Sequence, residues 1–198
     1  MAGRTDAGVH AWGQVCSVET GGDIEPQRLA RSLNAVLPSD VAVRSAEAAP
    51  DGFDARRDAR SRTYCYRVFV GLNKSPFERN RSLWWPHGLD EDLLAECAAS
   101  LYGSHDFTAF TPTQTDHVRF ERDVMRSEWL QRADTFEFWI EADTFMRHMV
   151  RILVGTMLDV ATGRRSADDF VRLLDGAPRS AAGPTTEPYG LYLASVRY

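Results

Sequence analysis

Between residues 63 and 70 the chain reads TYCYRVFV, a run that permits one kind of local structure. β-Branched and aromatic side chains dominate it, and such side chains suit a pleated, half-buried surface. Tyr64, Tyr66, Val68 and Val70 fall on one face, so the spacing predicts a strand whose apolar side needs a covering layer. Residues 135–141 repeat the alternation through Phe136, Phe138 and Ile140, and residues 123–130 read as a further strand. The covering layer is legible as helical spacing. Pro26 is placed as a first helical residue, and Leu29, Leu33 and Val36 then give one apolar face. Leu93, Leu94, Cys97, Ala98 and Leu101 give another, closed by Gly103. Met149, Ile152, Leu153, Thr156 and Val160 predict a long helix from near Phe145 to Gly163, with Arg147 and Arg151 four apart on one face.

The connecting stretches are read from their turn residues. Gly21-Gly22-Asp23 is a loop, residues 37–40 stop the first helix, and Val41-Ala42-Val43 predicts a short strand. Residues 71–87 read as a loop holding Trp84 and Trp85. His105 and Asp106 are adjacent on a loop, where neighbours seldom face each other. Ser166 and Asp169 have the spacing of a capping box before a short helix, and the tail from Gly190 to Val196 predicts a closing strand.

Composition narrows the class. With 198 residues, 43% hydrophobic and 26% charged, the chain can bury a real core. Cys16, Cys65 and Cys97 lie far apart with no metal-ligand spacing, which fits a reducing compartment. No apolar run approaches the ~18 residues of a membrane span, so the reading is of a cytoplasmic protein. Net charge is −5, yet almost all the positive charge is arginine, Lys74 being the sole lysine. Arg56, Arg57, Arg60 and Arg62 form one cluster, and Arg147, His148 and Arg151 another. An arginine fork suits phosphate, and a solvated charged face is the plainer reading of the same residues. No phosphate-loop, dinucleotide or zinc-protease motif is present.

One carboxylate stands out. Residues 3–11 read GRTDAGVHA, with Gly3 and Gly8 bracketing Arg4 and Asp6. Val9, Ala11, Gly13 and Val15 then alternate as a half-buried strand does, so Asp6 sits on a tight loop feeding a strand.

This string resembles the catalytic-aspartate motif of the tRNA pseudouridine synthase A family. The likeness continues through residues 33–38 (LNAVLP) and 53–56 (FDAR), where the family usually has His in place of Asp54. Residues 145–151 (FMRHMVR) resemble a second family signature, whose last arginine pairs with the catalytic Asp. The resemblance implies an α/β (α+β) fold, the pseudouridine synthase fold, with two similar halves of antiparallel sheet backed by helices and a central cleft. What remains of the first half runs to residue 58, and residues 59–198 form the second. The family carries a strand and a helix before the Asp motif. The resemblance therefore implies a chain incomplete at its start, less stable and less active than a longer one.

The resemblance also implies a reaction and its residues. Asp6 is the catalytic nucleophile or base, Arg151 its charge partner, Arg4 a support for the flipped nucleotide, and Tyr64 the ring that stacks on the base. Leu191 borders the uracil pocket. Residues 181–189, just before it, are less typical of the family. Arg56, Arg57, Arg147 and His148 are candidates for the RNA backbone. The implied substrate is the anticodon arm of tRNA, at uridines 38–40, gripped by a homodimer without cofactor or metal. A guanidinium within reach favours the charged form of a carboxylate, and a base must leave its stack to be modified. Two other readings use the same residues: a tRNA-binding fragment impaired in catalysis, and a hydrolase with Asp6 as covalent nucleophile.

Overall fold

A computed structural model describes residues 1–115 and 117–198. The strand expected at residues 63–70 is β2, Ser61–Val70, and it lies inside a seven-stranded mixed sheet. The other strands are β1 (His10–Ala11), β3 (Leu83–Trp85), β4 (Gly103–Asp106), β5 (Glu121–Arg132), β6 (Thr135–Ala142) and β7 (Leu191–Arg197). The order is β1-β7-β2-β6-β5-β4, with β3 paired to β2 beyond the reach of β7. Only β1–β7 and β2–β3 are parallel. Residues 1–58 thus reach the sheet through one short strand laid against the last strand of the chain.

Alternation decides the two faces. Tyr64, Tyr66 and Val68 stand opposite Ile140, Phe138 and Phe136 across β2 and β6, all on the face that builds the core. Helix α2 (Glu91–Ser100) and helix α3 (Met149–Ala161) cover that face. Helix α3 is apolar all round, and eleven of its residues are buried, which makes it the central element of the core. Each large apolar side chain so buried contributes roughly 1.5–3 kcal/mol. On the opposite face Tyr192 stacks under Trp12 and His10, at ring separations of 4.3 and 4.7 Å.

Caps follow the expected chemistry. Pro26 opens α1 (Pro26–Asn34), while Glu25 accepts from Gln27 N and Arg28 N at 2.9 and 2.7 Å. Asp90 caps α2 through Leu93 N, and Ser166 caps α4 (Ala167–Arg172) through Asp169 N.

Five expectations are corrected. The strand after Asp6 ends early: only His10 and Ala11 join the ladder, and Trp12 N and Gly13 N both converge on the Leu193 carbonyl. Residues 41–43 form no strand, because Val43 N and O pair with the Asn34 side chain at 2.7 and 2.9 Å instead. The stretch 71–87 contains β3, and Gly103–Asp106 is a strand rather than a loop. His105 Nε2 there reaches the Tyr102 carbonyl, whereas Asp106 caps Thr108, so the two act separately. Helix α3 starts at Met149, not Phe145, because His148 is left-handed at φ 62°, ψ −3°. Arg147 is consequently off the helix and shares no helical face with Arg151.

Candidate active site

Asp6 sits in a turn closed by Val9 N donating to the Asp6 carbonyl at 3.0 Å. Gly8 has φ +85°, a left-handed value that glycine adopts without penalty, and a Cβ there would meet the Pro188 ring at 3.1 Å. The preceding strand of chain is tied down by Gln14, whose Nε2 donates to the Gly3 carbonyl at 2.8 Å. Ala2 N donates to the Val15 carbonyl at 2.7 Å. The carboxylate is one-third exposed, aimed at the first turn of α3.

Two donors from that turn meet one oxygen. Arg151 Nη1 donates to Asp6 Oδ2 at 3.1 Å, and His148 Nε2 lies 3.2 Å from the same atom. No contact to Oδ1 is formed among the described residues. The carboxylate is therefore gripped on one side and open on the other.

His148 reaches Asp6 because of its backbone. A left-handed conformation costs a non-glycine residue about 1–2 kcal/mol, and here it turns the ring back across the helix start. Burial pulls the His148 pKa below its ordinary range; Asp6 opposes this, while Arg151, Arg147 and Arg179 reinforce it. The shift favours the neutral ring, with Nε2 beside the carboxylate oxygen.

Arg151 is fixed at its other end. Its Nε donates to the Thr186 carbonyl at 2.7 Å, while Thr186 Oγ1 and N donate back to the Arg151 carbonyl at 2.9 and 3.3 Å. Residues 183–187 can lie along α3 only because each side presents a glycine to the other's backbone. A Cβ on Gly155 would overlap the Pro184 carbonyl oxygen, and one on Gly183 would come within 2.8 Å of Thr156 Cα. Farther along, Tyr66 Oη donates to the Glu187 carbonyl at 2.8 Å, and a Cβ on Gly190 would strike the Tyr66 ring at 2.6 Å. The segment thus ties α3, β2 and the Asp6 turn together.

The remaining sequence-derived residues fall into two groups. Tyr64 and Leu191 are both buried: Tyr64 Oη lies 3.5 Å from where a Gly3 Cβ would stand and its ring meets Phe145 edge-on at 5.0 Å, while Leu191 stands opposite Tyr66 across β7 and β2. Burial pushes the Tyr64 hydroxyl up to about 12, with Arg62 opposing and Asp6 adding to the shift. Arg4, Arg56, Arg57 and Arg147 are all exposed. Arg56 N and Arg57 N both donate to Asp54 Oδ1 at 2.8 Å, which lowers the Asp54 pKa. Asp54 is therefore the cap of a tight turn, a sufficient physical role for an acid at that position.

Three residues of this arrangement escaped the sequence reading. Thr186 lies in the stretch least typical of the resembled family. Gly155 was the available signal, since a mid-helix glycine costs about 1 kcal/mol and marks a close approach. Arg62, grouped with its exposed neighbours, is buried: its guanidinium donates to the carbonyls of Ala2, Arg56, Ala59 and Asp143 at 2.6–3.2 Å. Its parity with Tyr64 and Tyr66 on β2 was the clue.

Comparison with known proteins follows the same residues. A family model described as tRNA pseudouridine synthase matches residues 97–198. The whole chain is 39% identical to tRNA pseudouridine synthase A of Bacillus subtilis (strain 168), covering 80% of that protein. The chain belongs to the tRNA pseudouridine synthase A family. It is also 36% identical to the enzyme of that name from Geobacillus sp. (strain WCH70) and 38% identical to that of Geobacillus kaustophilus. In each case the match spans all of this chain, with 79% and 76% of the relatives covered. The family is one of isomerases, and the mixed α/β sheet agrees with the pseudouridine synthase fold. No helix among the described residues is long and apolar enough to cross a membrane.

Proposed function

We propose that the chain isomerises uridine to pseudouridine in tRNA, at uridines 38–40 of the anticodon arm, with Asp6 as the reacting carboxylate. The observation that carries this reading is the convergence of Asp6 with Arg151, 145 positions away, and His148 on one carboxylate oxygen. Such a constellation suits a reaction that needs one positioned carboxylate and no external energy. In the isomerisation the bond from ribose C1′ to uracil N1 breaks, the base turns, and C1′ joins C5. The proton lost from C5 is balanced by one gained at N1. Asp6 Oδ1 faces the ribose or base as nucleophile or base, while Arg151 and His148 keep Oδ2 in place.

The supporting roles follow from position. Tyr64 and Leu191 form the floor below the flipped base, and Arg4, exposed beside Asp6, holds the displaced nucleotide. Base–aromatic stacking worth ~1–3 kcal/mol offsets much of the cost of flipping. Arg56, Arg57 and Arg147 contact the RNA backbone. On this reading residues 1–58 and 59–198 are the two units that flank the cleft. The protein works as a homodimer in the cytoplasm, where its three free cysteines stay reduced.

Incubating the purified protein with a tRNA transcript and mapping pseudouridine by chemical probing tests the proposal. Pseudouridine at positions 38–40, absent when those uridines are replaced by cytidine, is the expected result. Conversion elsewhere in the tRNA contradicts the anticodon-arm assignment, and no conversion contradicts the activity.

A further inference from the structure

Arg179 is a guanidinium with no acid partner among the described residues. It opens the short 3₁₀ turn Arg179–Ala181, and its donors reach only the Ala182 carbonyl at 3.4 Å and Thr185 Oγ1 at 3.3 Å. Both contacts are at the long end of hydrogen bonding. No carboxylate among the described residues pairs with it, and burial alone lowers its pKa. Arg151 and Arg62, by contrast, each have at least one hydrogen bond of 2.7 Å or shorter.

Arg179 also edges a cavity of about 350 Å³ whose largely apolar wall, with Pro112, Phe120 and Pro178, carries the hydroxyl residues Thr108, Thr111, Thr113, Thr115 and Ser180. Three of these are committed within the fold: Thr108 donates to Asp106 Oδ1 at 2.6 Å, Thr111 donates to the Phe107 carbonyl at 3.1 Å, and Thr115 Oγ1 accepts from His117 N at 3.3 Å. The Thr113 and Ser180 hydroxyls have no partner among the described residues. No described carboxylate lines the cavity. Thr185, touched by Arg179, precedes Thr186, whose carbonyl holds Arg151, so a bonded path links this cavity to the Asp6 carboxylate.

We propose that this cavity is a phosphate subsite, in which Arg179, Thr113 and Ser180 take the backbone phosphate of a nucleotide flanking the one at Asp6. The inference rests on the tRNA reading above. A planar guanidinium donates two bonds to a phosphate at once, and serine and threonine hydroxyls are common further donors to backbone phosphates. A neighbouring phosphate held here fixes the register of the strand, so that one nucleotide alone reaches the carboxylate.

The test uses the full chain and a labelled tRNA transcript, with binding measured across a salt series for the unmutated protein, Arg179→Gln, Arg179→Lys and Thr113→Val. Losing one phosphate contact should flatten the dependence of log affinity on log salt by ~0.7–0.9 in Arg179→Gln. Affinity near 0.1 M salt should drop about 5–10-fold, and kcat/KM with it. Arg179→Lys should recover the slope but not the full affinity, since it keeps the charge and loses the fork. Thr113→Val, which leaves the arginine in place, should weaken binding with the slope preserved. An unmutated protein that converts tRNA while Arg179→Gln shows the same slope and affinity overturns the subsite and spares the tRNA reading. An unmutated protein that makes no pseudouridine overturns both. A rise in melting temperature with inorganic phosphate alone, lost in Arg179→Gln, would assign the cavity to a free anion and overturn the RNA assignment.

Discussion

Asp6 Oδ2 receives two donors of different kinds, and the difference has a consequence in pH. One is a guanidinium; the other, His148, has its pKa lowered because burial and three arginines outweigh the carboxylate, which favours the neutral ring. The unfolded chain therefore binds a proton at His148 more readily than the folded one does. Stability from this residue is complete above the ordinary histidine pKa of ~6.5 and is lost as pH falls through the lower folded value. Replacing His148 with Asn, which tolerates a left-handed backbone, removes that dependence. The melting-temperature gap between the unmutated protein and His148→Asn should be widest near about pH 7.5 and narrow toward about pH 5. A gap that holds or widens on acidification contradicts the neutral assignment. At this scale the sequence was informative where a residue sits in a distinctive string, as Asp6 and Arg151 do. It was silent on the His148–Asp6 contact, which depends on one left-handed residue that no periodicity records. Asp54 shows the same limit, since its capping role depends on a turn five residues wide.

Elements matter here through a segment without regular structure. Residues 183–187 hold Arg151 from behind, and Gly155 lets them approach. Gly155→Ala sets two effects against each other. Alanine in a helix interior gains about 1 kcal/mol over glycine, while forcing a methyl group into a packed contact costs typically 1–3 kcal/mol, or roughly so. The overlap is with a backbone carbonyl, which cannot swing away as a side chain can, so strain wins. Gly155→Ala should lower the melting temperature by about 2–6 °C and reduce turnover more than ~10-fold as Thr186 leaves Arg151. A stabilised variant with full turnover contradicts this anchor. The regular elements themselves were largely legible: β2, β5, β6, β7 and the bodies of α1 to α4 follow from alternation, helical spacing and caps. The failures have local causes. Asn34 satisfies Val43 in place of a strand, Trp84 and Trp85 pair beside β2 despite flanking turn residues, and α3 begins late because its entry is left-handed.

Across the whole molecule, the sheet and α3 bring remote parts of the chain to one point. The Asp6 turn reaches the site through β1 lying on β7, and Arg151 reaches it through a helix buried on the same sheet. On the proposed function, a net charge of −5 is compatible with RNA binding, because exposed arginines such as Arg56 and Arg57 are clustered rather than spread. If the proposed function holds, Asp6 and Arg151 act as one unit in making pseudouridine. Single-turnover conversion of tRNA by Asp6→Asn, Arg151→Met and the double variant, with binding measured alongside, tests it most directly. Asp6→Asn should slow conversion on the order of 10³-fold or more while leaving binding within ~2-fold, since backbone contacts supply most of the affinity. Arg151→Met should slow it by roughly 10²-fold, and the double variant should be no slower than Asp6→Asn. Conversion by Asp6→Asn within ~3-fold of the unmutated rate, or single effects that multiply in the double variant, would contradict the claim.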